Sequence, residues 1–233
     1  MTTHVVAMGG GGFSMSEDGS PTPFDQYVLA LARRPDPLVC FAPTASADSA
    51  EYVERFQKAY ASLGVRTSLL TLWHDAAASV AGLADVDVLM VGGGSTVNLV
   101  ALWNAHGVTD RLRRIQAEHD IVLAGLSAGA NCWHEASVTD AFGPRLAPWT
   151  GGTGIVAGSF CPHFDGETDR RSVYTSAVAA HRIPSGYAAD DGAAIHYVDG
   201  EVRAFIAERP DARVYRVTPE AGAEPRTMRR LAG

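Results

Sequence analysis

The sequence predicts an α/β fold built on a mostly parallel sheet with helices on both faces. Three observations predict it. Short apolar runs alternate with helix-length segments through the first half of the chain, which is the rhythm of βαβ units. The runs are near-continuously apolar, as in Leu38–Ala42 and Ile121–Leu126, and this suits strands that are covered on both faces. Three of the runs also end in glycine or serine turns: Gly9-Gly10-Gly11-Gly12, Gly92-Gly93-Gly94 and Ser127.

In chain order, a first strand over 4–8 runs into the four glycines, a helix follows over 24–33, and a second strand over 38–42 is closed by Pro43. Residues 49–63 carry Tyr52, Val53, Phe56, Ala59, Tyr60 and Leu63 at helical spacing; these form one apolar helix face, and Gly64 stops the helix. Strands are expected over 65–72 and 86–91, helices over 96–103 and 109–118, and a strand over 121–126 that leads directly into Ser127. Beyond about residue 141 the rhythm loosens. Residues 143–158 are rich in Gly and Pro and are expected as a loop, while 193–218 alternate around Asp199-Gly200, a hairpin turn signal. No linker composition or internal repeat divides the chain, so residues 1–233 are read as a single domain.

Composition excludes several classes. A hydrophobic content of 46% is too high for a disordered chain. No apolar run approaches the roughly 20 residues needed to span a bilayer. The start, Met1-Thr2-Thr3-His4-Val5, lacks the basic and apolar stretches of a secretory signal. No membrane partner is therefore expected, and a cytoplasmic location is the default expectation. Cys40, Cys132 and Cys161 are odd in number, widely spaced and without a C-x-x-C pair. They argue for a reducing compartment and against a disulfide framework or structural zinc. A net charge of −7 repels phosphate backbones, so no nucleic-acid partner is expected. The one dense basic cluster, Arg226, Arg229 and Arg230, reads as a solvated tail. The sequence is compatible with a homodimer.

Gly125-Leu126-Ser127-Ala128-Gly129 matches G-x-S-x-G. A strand before it and a small-residue segment after it are the context of a nucleophile elbow, in which a sharp turn lifts the serine hydroxyl above the carboxyl end of the sheet. The N–H of Ala128 then faces a developing oxyanion. Such a serine needs a base. Of the histidines, His163 stands out in Cys161-Pro162-His163-Phe164-Asp165, at a second strand end after the elbow. The base in turn needs a carboxylate to hold its tautomer. Asp190 and Asp191 follow a further strand-like run, and Glu135 and Asp140 are competitors nearer the serine. The two glycine-rich loops have free N–H groups able to hold an anion, but neither matches a dinucleotide fingerprint or a P-loop.

Together these pieces resemble the peptidase E family of serine peptidases, which includes aspartyl dipeptidases and cyanophycinases. The resemblance rests on Gly92-Gly93-Gly94-Ser95-Thr96, Gly125-Leu126-Ser127-Ala128-Gly129-Ala130-Asn131, Pro162-His163-Phe164 and Asp191-Gly192-Ala193-Ala194-Ile195, in the family's order. It implies a doubly wound α/β sheet similar to that of glutamine amidotransferases. It also implies a triad in the order serine, histidine, acid, carried here by Ser127, His163 and Asp191. Oxyanion donors are implied at Gly93 or Gly94 and at Ala128, and Ser95, Thr96 and Asn131 beside them are expected to bind substrate.

Two departures matter. Asp191 stands where the family has a glutamate and is one methylene shorter, so Asp140 is kept as the alternative acid. Aspartyl dipeptidases carry an arginine, after the histidine, that pairs with the substrate's aspartate. The position that aligns with it here is Asp169, with Arg170 adjacent, so strict preference for N-terminal aspartate is not expected. The reading is a serine exopeptidase that acts on short peptides through an acyl-enzyme, with no metal or organic cofactor implied. An esterase or amidase using the same triad, and a non-catalytic ligand-binding member of the fold, are the alternatives.

Overall fold

The computed structural model describes residues 1–167 and 169–232. Its first five strands are β1 (Thr3–Met8), β2 (Leu38–Ala42), β3 (Arg66–Leu69), β4 (Val88–Val91) and β5 (Ile121–Leu126). They lie side by side in the order β3-β2-β4-β5-β1, and every neighbouring pair is parallel. Each strand feeds both faces. Val5 and Ala7 join one buried cluster with Cys40, Leu89 and Leu123, while Val6 and Met8 join the other with Val39, Val88 and Val122. The period-2 alternation of a strand thus becomes an unbroken apolar run, because neither face meets water.

Helices cover both faces, as expected. On one side lie α2 (Pro23–Ala30) and α3 (Ala50–Ser62), preceded by the short α1 (Gly12–Met15). Phe24, Val28, Phe56 and Tyr60 pack there against β1 and β2. Thr22 and Asp25 close a capping box at the start of α2, and Ser49 caps α3. After α4 (Ala76–Gly82), the other face receives α5 (Thr96–Ala105) and α6 (Val108–Glu118), with Leu99, Trp103, Leu112 and Ile115 in the core.

The second half departs from expectation. After the short α7 (Ala128–Asn131) the chain builds a second sheet: β6 (His134–Thr139), β7 (Ala147–Trp149), β8 (Val156–Cys161) and β9 (Gly186–Ala189). It then adds β10 (Ala193–Val198) and β11 (Glu201–Ala207) to the first sheet, beside β1, and returns with β12 (Val214–Thr218) and β13 (Gly222–Pro225) to the second. The second sheet runs β13-β12-β9-β8-β6-β7, with β6, β8 and β9 parallel to one another. Residues 143–158, expected as loop, therefore contain β7 and the start of β8. These strands are short, interrupted by glycine and paired with distant segments, so no local period announces them. The α8 helix (Arg170–Ala179) covers the sheet with Tyr174, Ala177 and Val178, while Val156 and Phe160 of β8 point into the first sheet's core.

The Asp199-Gly200 turn is present between β10 and β11, with φ of 51° and 84°, and two positive values are what a type I′ hairpin turn requires. The basic tail is not simply solvated. Arg229–Arg230 form the edge strand β14, parallel to β11, and Arg229 and Arg226 lie over the rings of Tyr27 and Phe205. Long cationic side chains cover apolar surface in this way while their heads stay wet.

Gly9, just past β1, is crossed closely by backbone of another segment. A Cβ there would sit 2.3 Å from the Asp190 carbonyl oxygen and 2.4 Å from that of Ala189, and backbone cannot yield as a flexible side chain can. Gly9→Ala is therefore expected to destabilise the protein by about 1–3 kcal/mol. Gly82→Ala, at the end of α4 where nothing lies within 4 Å, is expected to be neutral or stabilising by up to about 1 kcal/mol. Urea denaturation of the two variants measures both; equal midpoints would contradict the packing argument.

Candidate active site

Ser127 leaves β5 at φ 54° and ψ −114°, a conformation that costs a non-glycine residue about 1–3 kcal/mol. The flanking glycines make the turn sterically possible. A Cβ on Gly125 would fall 2.3 Å from the Gly129 carbonyl oxygen, and one on Gly129 would fall 2.3 Å from that of Val91. Only glycine lets the small α7 segment lie this close to β4 and β5. The turn is tied by Ala130 N–H and Asn131 N–H donating to Ser127 O, at 3.0 and 2.9 Å.

His163 follows β8 and is also held at a positive φ, 51°. Its Nδ1 lies 2.6 Å from Asp191 Oδ1. A carboxylate oxygen only accepts at this position, so Nδ1 carries the hydrogen, and in the neutral ring Nε2 is the nitrogen that can accept a proton. Asp191 is itself placed by its backbone, since its N–H donates to Asp165 Oδ1 at 2.9 Å. Its neighbour Asp190 turns inward, where burial pushes its carboxyl up to about 6 and Oδ2 accepts the Arg213 N–H. The structure thus separates two adjacent carboxylates that sequence left together.

All three segments attach to the end of β1. Ser127 N–H donates to Met8 O, His163 N–H to Gly9 O and Gly192 N–H to Gly10 O, at 3.2, 3.2 and 2.9 Å. Gly10 packs against the His163–Asp191 pair so closely that a Cβ would lie 2.1 Å from Asp191 Oδ1 and 3.0 Å from His163 Cε1. Among the described residues the Ser127 hydroxyl forms no side-chain hydrogen bond; in sites without substrate such bonds are often long and tighten on binding.

Beside Ser127 lies a cleft of about 200 Å³ lined by Gly94, Thr96, Ala128, Asn131, Asp140, Glu167 and Arg170, among others. Ala128 N–H is the first of α7 and has no intrahelical acceptor. Gly94 N–H takes no acceptor among the described residues. Gly93, by contrast, is engaged: its N–H donates to Tyr52 Oη at 3.2 Å, and the Tyr52 hydroxyl donates to Ser14 Oγ at 2.9 Å. Of the two loop glycines, geometry favours Gly94 as the donor and gives Gly93 an anchoring part.

Three further expectations change. Ser95 caps α5, accepting the Asn98 N–H, and does not line the cleft. Asp169 caps α8 at a left-handed φ of 71° and is exposed outside the cleft. Arg170, one residue on, is 6% exposed and lines it, because the first helical turn points Arg170 inward. Asp140 lines the cleft rather than meeting His163. Thr96 and Asn131 both line the cleft, with Asn131 Nδ2 donating to Thr96 Oγ1 at 3.4 Å. In the opening glycine run two N–H groups are engaged, Gly9 N–H by Ala193 O at 2.9 Å and Gly12 N–H by Glu208 Oε1 at 3.2 Å.

Two supports lay outside the sequence reading. Glu167 grips Arg170, with Nε and Nη2 both donating to Oε2, at 2.8 and 2.5 Å. His134 backs the elbow. Its Nδ1–H donates to Ala130 O and its Nε2 accepts from Tyr197 Oη, while burial lowers its pKa to about 4 and keeps the ring neutral. An i, i+4 contact from a helix end was a legible signal for it; nothing local marked Tyr197. Among the described residues no three metal-ligating side chains converge, and no helix is long and apolar enough to cross a membrane.

A parallel sheet ending in a strained serine elbow, with an oriented histidine–carboxylate pair above the same edge, is the architecture of α/β hydrolytic proteins. The fold matches that of a peptidase from an acI-B1 Actinobacterium, with a TM-score of 0.69, 16% identity and coverage of 97% of this chain and 94% of that one. It also matches a protein of Listeria monocytogenes EGD-e provisionally assigned as a peptidase E, with a TM-score of 0.62, 19% identity and coverage of 87% and 98%. The family model for peptidase family S51 matches residues 5–205. The uncharacterized peptidase YgaJ of Bacillus subtilis (strain 168) is 43% identical over 214 residues, 91% of each chain. The chain belongs to peptidase family S51, and its activity is that of a peptidase.

The His163–Asp191 bond generates a direct comparison. Asp191→Asn, which removes the charge and frees the ring to take the wrong tautomer, is expected to lower peptide hydrolysis by roughly 10³–10⁴-fold. Asp140→Asn is expected to cost much less. Steady-state turnover of both variants at matched stability decides it, and the reverse order would reassign the acid.

Proposed function

We propose that the protein is a serine exopeptidase acting on short peptides. The observation that carries the reading is the attachment of three segments to one strand end. Met8, Gly9 and Gly10 hold Ser127, His163 and the Asp191 turn together, although the sequence separates them by up to 64 residues. His163 Nε2 takes the Ser127 proton as Oγ attacks the scissile carbonyl carbon. The oxygen gains negative charge against Ala128 N–H and Gly94 N–H. The C–N bond then breaks, and His163 gives its proton to the leaving amine, which departs and leaves an acyl-enzyme. Water, deprotonated by His163, attacks the ester and releases the acid while the proton returns to Ser127. The free, buried cysteines support a cytoplasmic setting for this reaction.

The size of the cleft supports the exopeptidase part. At about 200 Å³ it is below the roughly 300–1,000 Å³ of ordinary ligand pockets, and it suits one residue rather than a stretch of chain. A larger, mostly apolar pocket near Trp73 contains no nucleophile.

Strict preference for N-terminal aspartate is no part of this reading, and the reason differs from the one the sequence suggested. The cleft does contain an arginine. Its guanidinium, however, is already shared with Glu167, so a substrate carboxylate must compete with a carboxylate held in place.

Two outcomes are expected. Ser127→Ala stays folded, loses about 10³-fold or more of the hydrolysis and no longer reacts with a fluorophosphonate; near wild-type turnover by the folded variant would remove Ser127 from the mechanism. In a dipeptide series differing only in the first residue, wild-type kcat/KM shows no preference for aspartate. Glu167→Gln releases Arg170 and raises the relative kcat/KM for aspartate-first peptides by about tenfold. A wild-type aspartate preference abolished by Arg170→Ala would show instead that Arg170 already serves the substrate.

A further inference from the structure

We infer that Asp140, together with Asn131 of the same cleft, is the receptor for the substrate's free α-ammonium group; the inference rests on the peptidase reading of that cleft. Three charged side chains line that cleft: Arg170, Glu167 and Asp140. The first two satisfy each other through two hydrogen bonds to one oxygen. Asp140 makes no salt bridge among the described residues. One guanidinium against two carboxylates leaves a negative charge over, and it resides on Asp140. Asn131 adds an acceptor with nothing to accept: the side chain is 4% exposed, lines the cleft, and its Oδ1 has no hydrogen-bond donor among the described residues.

Uncompensated acceptors in a small polar cleft call for a cationic donor, and an ammonium carries three N–H groups and a positive charge. The α-nitrogen of an N-terminal residue is one carbon away from the carbonyl that Ser127 attacks. A receptor for it must therefore share the nucleophile's own cleft, as Asp140 does. The strand order adds to this. Asp140 follows β6 and His163 follows β8, while Asp191 follows β9 on the far side of β8. His163 uses the carboxylate on one side and leaves the other for substrate. Acetylation of the amine, or chain preceding it, removes the charge and adds bulk to a space that holds one residue.

The test follows fluorophosphonate labelling of Ser127 and its protection by alanyl-alanine or by N-acetyl-alanyl-alanine, peptides without a charged side chain. The free dipeptide is expected to protect at concentrations at least about tenfold lower than its acetylated form. The advantage fades as pH rises through about 8, where the peptide's own α-ammonium loses its proton. Asp140→Asn is expected to remove both the advantage and its pH dependence, and its labelling in the absence of peptide reports that the elbow is folded. Equal protection by the two peptides, no protection by the free dipeptide, or an undiminished advantage in Asp140→Asn would each overturn the assignment. Should that variant not fold, a wild-type advantage unaffected by pH overturns it as well. Failure of wild-type Ser127 to label at all would instead overturn the underlying peptidase reading of the cleft.

Discussion

The carbonyls at and just past the end of β1 are the constraint on which the rest of the site depends. Met8, Gly9 and Gly10 present three successive acceptors, and each takes an N–H from a different part of the chain: Ser127, His163 and Gly192. A carbonyl accepts at one distance and within a narrow range of directions, so three remote segments are fixed in one frame by backbone alone. This demands that the two residues just past β1 carry no side chains. Gly9 is crossed by the carbonyls of Ala189 and Asp190, and Gly10 is covered by the His163–Asp191 pair. The central position of β1, between β5 and β10, then transmits the rigidity of eight paired strands to the site.

Strain is concentrated at two residues in this frame. Ser127 and His163 both hold positive φ values, at a cost of about 1–3 kcal/mol each. Neither would persist on a loose loop. Around Ser127 the opposing energy comes from the hydrogen bonds that close the elbow and from buried neighbours, including Trp133 and Leu126. Around His163 it comes from the Asp191 bond and from Gly166 N–H and Glu167 N–H, which both donate to His163 O. The second set also fixes Glu167, which grips Arg170. A relaxation at His163 would thus alter the cleft's cation as well as its base.

The first half of the fold was legible because its signals are local. β2 and β5 fall where continuous apolar runs placed them, and α3 ends at Ser62, just before Leu63 and Gly64. The elbow was legible because its residues are contiguous, although of its two glycines Gly125 is required by contact with Gly129 within the motif and Gly129 by contact with Val91 of β4. The second sheet was not, since its pairings join β6 to β8 and β8 to β9 across tens of residues, and β8 carries Gly158 at φ 86° within it. Asp169 and Arg170 show the sharpest limit. Adjacent in sequence, they differ completely in burial because α8 begins between them, and a boundary of one residue is finer than periodicity resolves. The choice between Asp140 and Asp191 had a similar cause, for both follow parallel strands that flank β8.

The two sheets divide the chemistry between them. The carboxyl edge of the first supplies Ser127, the proposed nucleophile, after β5 and the glycine loop after β4. Three adjacent parallel strands of the second end in Asp140, in the turn carrying His163, and in Asp190-Asp191. With strands about 4.8 Å apart, the groups that follow them are neighbours by construction, and each can change without shifting the elbow. The cleft wall rests on α8 and its cap, which pack on the second sheet through Tyr174, Ala177 and Val178. Substitutions at Asp140, Glu167 or Arg170 therefore alter the charge of a surface that Ser127 touches but does not rest on. On the proposed reading, peptide selectivity follows from which of three charges is left uncompensated, while the strained serine, anchored to β1, stays the same.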